Sequence, residues 1–299
     1  MRGVFETIKS LGWKRLRLSL ASGGVCLALV GTLLATQPPF FRRLDRMVYD
    51  IFLREFANGE PSKTPILIDI DERSIGDLGQ WPWPRYRLAE LLAALYQGGV
   101  DAIGVDILMT EPDRTSPALW AKQITEDFGV EPDFTGIPPE LMDNDRYLAS
   151  IMKQIPVVIS AQITENPNDI ASSSPKFLPI ADMRDPGAPR LEQILRNNAG
   201  IQMPVPVLAD AASYLGLMNA EGDEDSIFRR IPLFQLWNGK PVAGLALATL
   251  ALYAGNHSLA VNIASDGQMS IKTAGVVIPV SHGGSMPIAF RGKSGSYPV

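Results

Sequence analysis

The sequence predicts an α/β fold: a mixed, largely parallel sheet with flanking helices, preceded by one N-terminal transmembrane helix. Three observations point there. Residues 18–36 are 19 consecutive positions without a charge. Beyond them, apolar β-rich runs alternate with segments of three- and four-residue apolar spacing, the order that lays helices on a parallel sheet. Finally, 46% hydrophobic against 20% charged residues over 299 positions suffices for a sizeable core and is not the composition of a disordered chain.

The charge-free run comes first. At 1.5 Å per residue it extends about 28 Å, close to the hydrocarbon thickness of a bilayer. Five of the 27 basic residues but one of the 32 acids fall in residues 1–17. Residues 1–17 are therefore expected in the cytoplasm, 18–36 in the inner (cytoplasmic) membrane, and 40–299 outside the cytoplasm. Arg42, Arg43 and Arg46 on the far side weaken this orientation without reversing it. A cleaved signal peptide is the rival reading, because Ala35 and Thr36 are small. The run is longer than a usual signal core, however, and Pro38 and Pro39 crowd a cleavage site. The remainder of the chain has a net charge near −9 and no basic patch, which argues against nucleic acid as a partner. Cys26, the one cysteine, lies inside the run, so the exported part can form neither disulfide nor thiolate metal site. His257 and His282 are too few for a convincing zinc site, and no nucleophile elbow is recognisable.

Next, Phe41, Leu44, Val48, Ile51 and Phe52 fall on one face of a helix, with Asp45 and Arg46 opposite. This helix is expected to dock the exported body close to the membrane and to end at Asn58-Gly59 and Pro61. "PILIDI" (65–70) reads as a strand. Pro84 suits a first helical turn; Leu88, Leu91, Leu92 and Leu95 then form a buried stripe that Gly98-Gly99 stop. "DAIGVDILM" reads as a second strand, and strand–helix–strand implies a right-handed parallel crossover. A helix should start at Ser116-Pro117, an amphipathic one follows in "DNDRYLASIMKQI", and "PVVISAQI" is a buried strand. Residues 165–190 look like an exposed insertion. "AASYLGLMNAEGDEDSIFRRIPLFQLW" reads as a hairpin about an acidic turn. "VAGLALATLALYAG" is too short to span a bilayer comfortably and reads as a buried helix. "SIKTAGVVIPV" and "MPIAFRG" are strand-like.

Two expected strands thus end in acids on one side: Asp69, Asp71 and Glu72 after the first, Asp106, Glu111 and Asp113 after the second. The carboxyl ends of parallel strands form the usual ligand crevice. The acids read in two ways. They could bind a hard cation or an amine-bearing ligand, or they could cap turns, Asp71 for "ERSIGDL" and Asp106 for a neighbouring loop or Arg85. Trp81 and Trp83 could stack on a ligand or shield the edge of the sheet. Arg85, with its planar guanidinium, is expected to bridge Asp69 or Asp106 and hold the loop. Arg229 and Arg230 should either solvate a surface or pair with Asp223 and Asp225, with specific anion binding as the lesser reading. No spacing pairs a base with a nucleophile, so no catalytic residue, metal site or cofactor is predicted.

Four stretches, "LDRMVYDIFLR", "ILIDIDERSIGDLGQWPWPR", "DAIGVDILMTEPDRTSP" and "YLGLMNAEGDEDSIFRRIPL", with "DNDRYLASIMKQIPVVIS" between them, resemble the second type of CHASE domain. This is the extracytoplasmic sensor associated with cyclases and histidine kinases, and the resemblance covers residues 40–299. One departure is the turn Asp223-Glu224-Asp225-Ser226, where such sensors commonly have an Asp-Gly-type turn. The resemblance implies core strands, transmembrane helices and a cytoplasmic effector beyond residue 299, so the C-terminal part of the domain is expected to be missing here. It implies a membrane-anchored input domain of a bacterial signalling protein, not itself an enzyme. A small molecule or protein is the expected stimulus, the lipid bilayer a partner, and a homodimer is allowed. Asp69, Asp71, Glu72, Trp83, Arg85, Asp106, Glu111 and Asp113 are the candidate ligand contacts. Two alternatives stay open: the N-terminal part of a class III adenylate or guanylate cyclase or of a sensor kinase, and an exported metal-dependent hydrolase.

Overall fold

A computed structural model describes residues 19–33, 39–56, 65–166 and 175–288, apart from positions 221, 224 and 282. The chain divides into two units, Met1–Asp69 with Ala289–Val299, and Ile70–Ile288. In the first unit, residues 19–33 are helical (α1) and α2 spans Pro39–Phe56. No helix among the described residues is long and apolar enough to cross a membrane. Residues 1–17, the ends of the expected 18–36 span, and Asn58-Gly59 with Pro61 lie outside the described residues.

Residues 65–70 form no strand, which corrects the expectation for "PILIDI". Ile66, Leu67 and Ile68 remain exposed. β propensity describes how a residue fits a paired, half-buried surface; without a ladder partner it makes no strand.

The second unit opens with α3 (Glu72–Leu78) and α4 (Arg85–Gln97), which buries Leu88, Ala89 and Leu92 and ends before Gly98-Gly99. Strand β1 (Ile103–Val105), α5 (Pro117–Phe128) with proline in its first turn, a 3-10 turn (Pro139–Leu141) and α6 (Asn144–Met152) follow. Then come β2 (Val157–Thr164), β3 (Ile180–Arg184), α7 (Leu191–Ile194), β4 (Asn197–Asn198), β5 (Gly200–Gln202), α8 (Pro206–Ala211) and β6 (Tyr214–Leu217). The chain continues through β7 (Arg230–Pro232), β8 (Phe234–Trp237), β9 (Lys240–Ala243), α9 (Leu245–Tyr253), β10 (Leu259–Ile263), β11 (Met269–Thr273), β12 (Val276–Val280) and β13 (Ser285–Pro287).

β2 is the central strand of the first sheet. It pairs in parallel with β1 (Ile103↔Val157) and β6 (Val158↔Tyr214), and antiparallel at its far end with β5. Successive side chains of a strand face opposite ways, and β2 uses both. Val157, Ile159, Ala161 and Ile163 join the core that contains Leu92, Leu148, Met152 and Leu208 of α4, α6 and α8. Val158 joins a second core with Leu247, Ala248 and Ala251 of α9 and the inner faces of β8, β10 and β11. α9 is therefore covered on more than one side, which is why its sequence is apolar all round. Two glycines let it approach the sheet. A Cβ on Gly216 would lie 2.6 Å from the Leu245 Cα, and one on Gly104 would lie 2.6 Å from the Thr249 hydroxyl.

The sheets are mixed, not largely parallel. Among the described residues four strand pairs are parallel and five antiparallel. The cause lies in the turns. Asn238-Gly239 and Ala274-Gly275 both have positive φ, the two-residue geometry that returns the chain directly onto its neighbour. Such turns join β8 to β9 and β11 to β12, and only antiparallel partners can be joined so tightly. The expected hairpin about the acidic turn does not form: β6 pairs with β2, whereas β7 pairs with β13. Part of the expected insertion is also structured, since β3 pairs in parallel with β10 and Leu178 is buried; residues 167–174 lie outside the described residues.

Candidate functional site

The loop after β1, residues 106–116, crosses the N-terminal ends of α4 and α6, and a buried polar cluster fastens it there. α4 begins after Pro84, whose side chain offers no acceptor for the free N–H groups of the first turn. Asp113 supplies one from 28 residues away: its Oδ2 accepts the Arg85 N–H at 2.7 Å. Its Oδ1 accepts the Thr115 N–H at 2.9 Å and the Thr115 hydroxyl at 2.7 Å, and Asn144 Nδ2 donates to Oδ2 at 2.9 Å. α6 has a local cap, Asp143, which accepts from the N–H groups of Asp145 and Arg146. Asp145 in its first turn faces inward instead. It accepts the Asp113 N–H at 2.9 Å and forms an ion pair with the Arg85 guanidinium, which also donates to the Glu111 carbonyl. The Ser116 hydroxyl accepts the Asn144 N–H at 3.1 Å.

Asp113, Ser116, Asn144 and Asp145 are all buried, and the Arg85 side chain is 12% exposed. Burial by itself would raise the Asp113 carboxyl. The hydrogen bonds from Arg85 N–H, Thr115 and Asn144 together outweigh it and hold the group below its ordinary value. The cluster is thus a closed network of charge-assisted bonds in which one arginine ties two helix starts and a loop together.

The side chains of the remaining predicted residues are not part of it. Asp71 caps α3, accepting the Ser74 N–H at 2.8 Å and its hydroxyl at 2.6 Å, and the Ser74 hydroxyl is the main cause of its lowered pKa. Glu72 sits exposed in the first turn of the same helix. Asp106 is exposed and within 3.5 Å of the Ser160 hydroxyl, while the Glu111 carboxylate pairs at the surface with Arg114. Asp69 is exposed in the first unit. The expected bridge from Arg85 to Asp69 or Asp106 is therefore corrected to Asp145. Trp83 is buried, meets Trp81 edge-on at 5.6 Å, and donates its indole N–H to the Gly79 carbonyl at 2.7 Å. That is packing with a satisfied polar tip. Sequence reasoning missed Thr115, Ser116, Asn144 and Asp145. The signal was the doubled acid in "DND": only one of Asp143 and Asp145 is needed to cap α6.

A second ionic cluster holds the acidic turn. Arg229, with 5% of its side chain exposed, reaches Asp223 at 2.9 Å and grips both oxygens of Asp225 at 2.8 and 2.9 Å. The Asp225 carboxyl falls to about 2, chiefly through these Arg229 hydrogen bonds. Among the described residues no group of three or more His, Cys, Asp or Glu is placed to hold a metal ion.

Comparison with known proteins gives one family. A model described as the CHASE2 domain matches residues 25–299. No curated protein and no solved structure matches the chain.

Proposed function

Because the chain belongs to the CHASE2 family of extracytoplasmic sensory domains, we propose that it is the membrane-anchored input module of a signalling protein. The CHASE2 domain is sensory and non-catalytic, so its output must be a change of conformation. The family match is the observation that supports this reading most directly. The anchor in the proposal is the charge-free run 18–36, of which residues 19–33 are helical.

In this reading the loop 106–116 is the element with two arrangements. With the Arg85–Asp145 pair closed, the loop lies fixed across the starts of α4 and α6. A stimulus that binds the open loop better shifts the population toward it, whereas one that binds both forms equally shifts nothing. An ionic latch suits this role, because opening it exposes an arginine and two carboxylates to whatever enters.

Topology decides the matter. Protease applied to intact spheroplasts is expected to degrade everything beyond the anchor, and to leave it untouched only in unopened cells. Full protection of residues 40–299 in spheroplasts, or their recovery in the cytosol, would overturn the proposal.

A further inference from the structure

The helix α2 has an apolar side with no matching function in the sensory body. Its Leu44, Met47, Val48 and Ile51 occupy an arc of about 100° when each residue advances 100° round the axis. They are respectively 45%, 60%, 42% and 53% exposed. The helices α4 and α9 in the second unit bury Leu88, Leu92 and Leu247 and leave their other leucines half-buried; α2 leaves these four residues to solvent. Arg42, Asp45, Arg46 and Asp50 fall on the opposite side, Glu55 falls on the arc one turn beyond Ile51, and residues 39–56 contain four arginines against three acids.

The chain itself says what lies nearby. Residues 19–33 are an uncharged helix, and only residues 34–38 separate it from α2. The six residue steps from 33 to 39 reach at most about 22 Å. If α1 is in the bilayer, α2 must begin within that distance of its end. A strongly amphipathic helix of low overall hydropathy, with a slight excess of arginine, is the kind that lies in the plane of a membrane surface. The apolar arc is also broader than the narrow two-position seam that pairs one helix with another.

We infer that α2 lies in the phospholipid headgroup layer, with Leu44, Met47, Val48 and Ile51 turned into the acyl boundary. This rests on the anchored reading of the chain. An interfacial helix would fix where the polypeptide leaves the membrane.

The test uses the full chain in vesicles of phosphatidylethanolamine and phosphatidylglycerol. In a Cys26→Ser background, Val48→Cys, Ile51→Cys and Arg46→Cys each carry a nitrobenzoxadiazole label. The labels at 48 and 51 should emit to the blue of that at 46. They should also be quenched several-fold more by lipids bearing a shallow doxyl group, and less by aqueous iodide. Equal quenching at 46 and 48 overturns the inference. So does a label at 48 shielded from both quenchers, which would mean packing against protein, or efficient disulfide crosslinking of Val48→Cys between copies. Flotation separates the two readings: a chain that floats with vesicles yet fails the quenching test keeps its anchor and loses only the interfacial helix. A chain that does not float loses both.

Discussion

Arg85 and Asp145, 60 residues apart in sequence, form a buried ion pair at the point where the starts of α4 and α6 share one loop. Removing one partner leaves the other charge in a site water reaches poorly. Arg85→Ala or Asp145→Ala should therefore each destabilise the protein by about 3–5 kcal/mol. The double variant Arg85→Ala/Asp145→Ala should lose less than the two single losses combined. Urea unfolding of all four proteins measures this, and strict additivity would mean that the pair is not coupled.

Asp113 predicts a pH dependence of definite sign. Its folded-state pKa lies below 3.8, so the unfolded chain binds a proton more readily than the native one. The stabilisation from this group is complete above about pH 4 and is lost as the pH falls through the folded-state value. Asp113→Asn should cost about 1–3 kcal/mol at neutral pH, because a donor then meets donors where the carboxylate accepted. The gap between variant and parent should narrow on acidification below about pH 4. Thermal unfolding followed down the acid limb checks this, and a gap constant to the lowest pH would exclude a carboxylate role. Asp71 and Asp225 contribute in the same direction, Asp225 down to about pH 2, so the parent's acid limb should be broad.

What could be read from the sequence follows the range of the forces involved. The Pro117 helix start, the buried "PVVISAQI" strand and the all-apolar α9 are local patterns and each forms as read, while of the expected α4 stripe Leu88 and Leu92 are buried and Leu91 and Leu95 half-buried. Of the two neighbouring arginines, Arg229 pairs with Asp223 and Asp225, which lie within six residues of it, whereas Arg230 is exposed at the start of β7. Strand partners are not local: nothing in "YLGLMN" or "RIPLFQLW" says that β6 joins β2 and β7 joins β13. The acids were overread for the same reason. Asp71 and Asp113 look alike in sequence, yet one caps the seven-residue helix beside it and the other caps a helix 28 residues back. Asp145 was missed because its partner, Arg85, comes from another element.

The close approach of α9 to the first sheet makes the two glycines unequal. At Gly216 a Cβ meets the backbone of Leu245, which cannot move without shifting the helix. At Gly104 it meets the Thr249 side chain, which can rotate or be trimmed. Gly216→Ala should cost about 1–3 kcal/mol, and Gly104→Ala less. Thr249→Ala should recover most of the Gly104→Ala loss and none of the Gly216→Ala loss. Denaturant midpoints of these variants decide it; equal costs would mean that α9 sits further from the sheet.

The Arg229 fork gives the last expectation. A guanidinium that binds both oxygens of Asp225 and also reaches Asp223 cannot be replaced by a point charge, because an ammonium lacks the planar pair of donors. Arg229→Lys keeps the charge and loses the bidentate geometry, so the turn between β6 and β7 should loosen although the net charge is unchanged. Limited proteolysis within residues 218–229 is the sensitive readout, because a segment can open locally without global unfolding. Arg229→Lys should be cut faster than the parent, and Asp225→Asn, which keeps one acceptor oxygen, should fall between them. If lysine protected the turn as well as arginine does, charge alone would hold it, and the fork geometry would have no part in closing the segment.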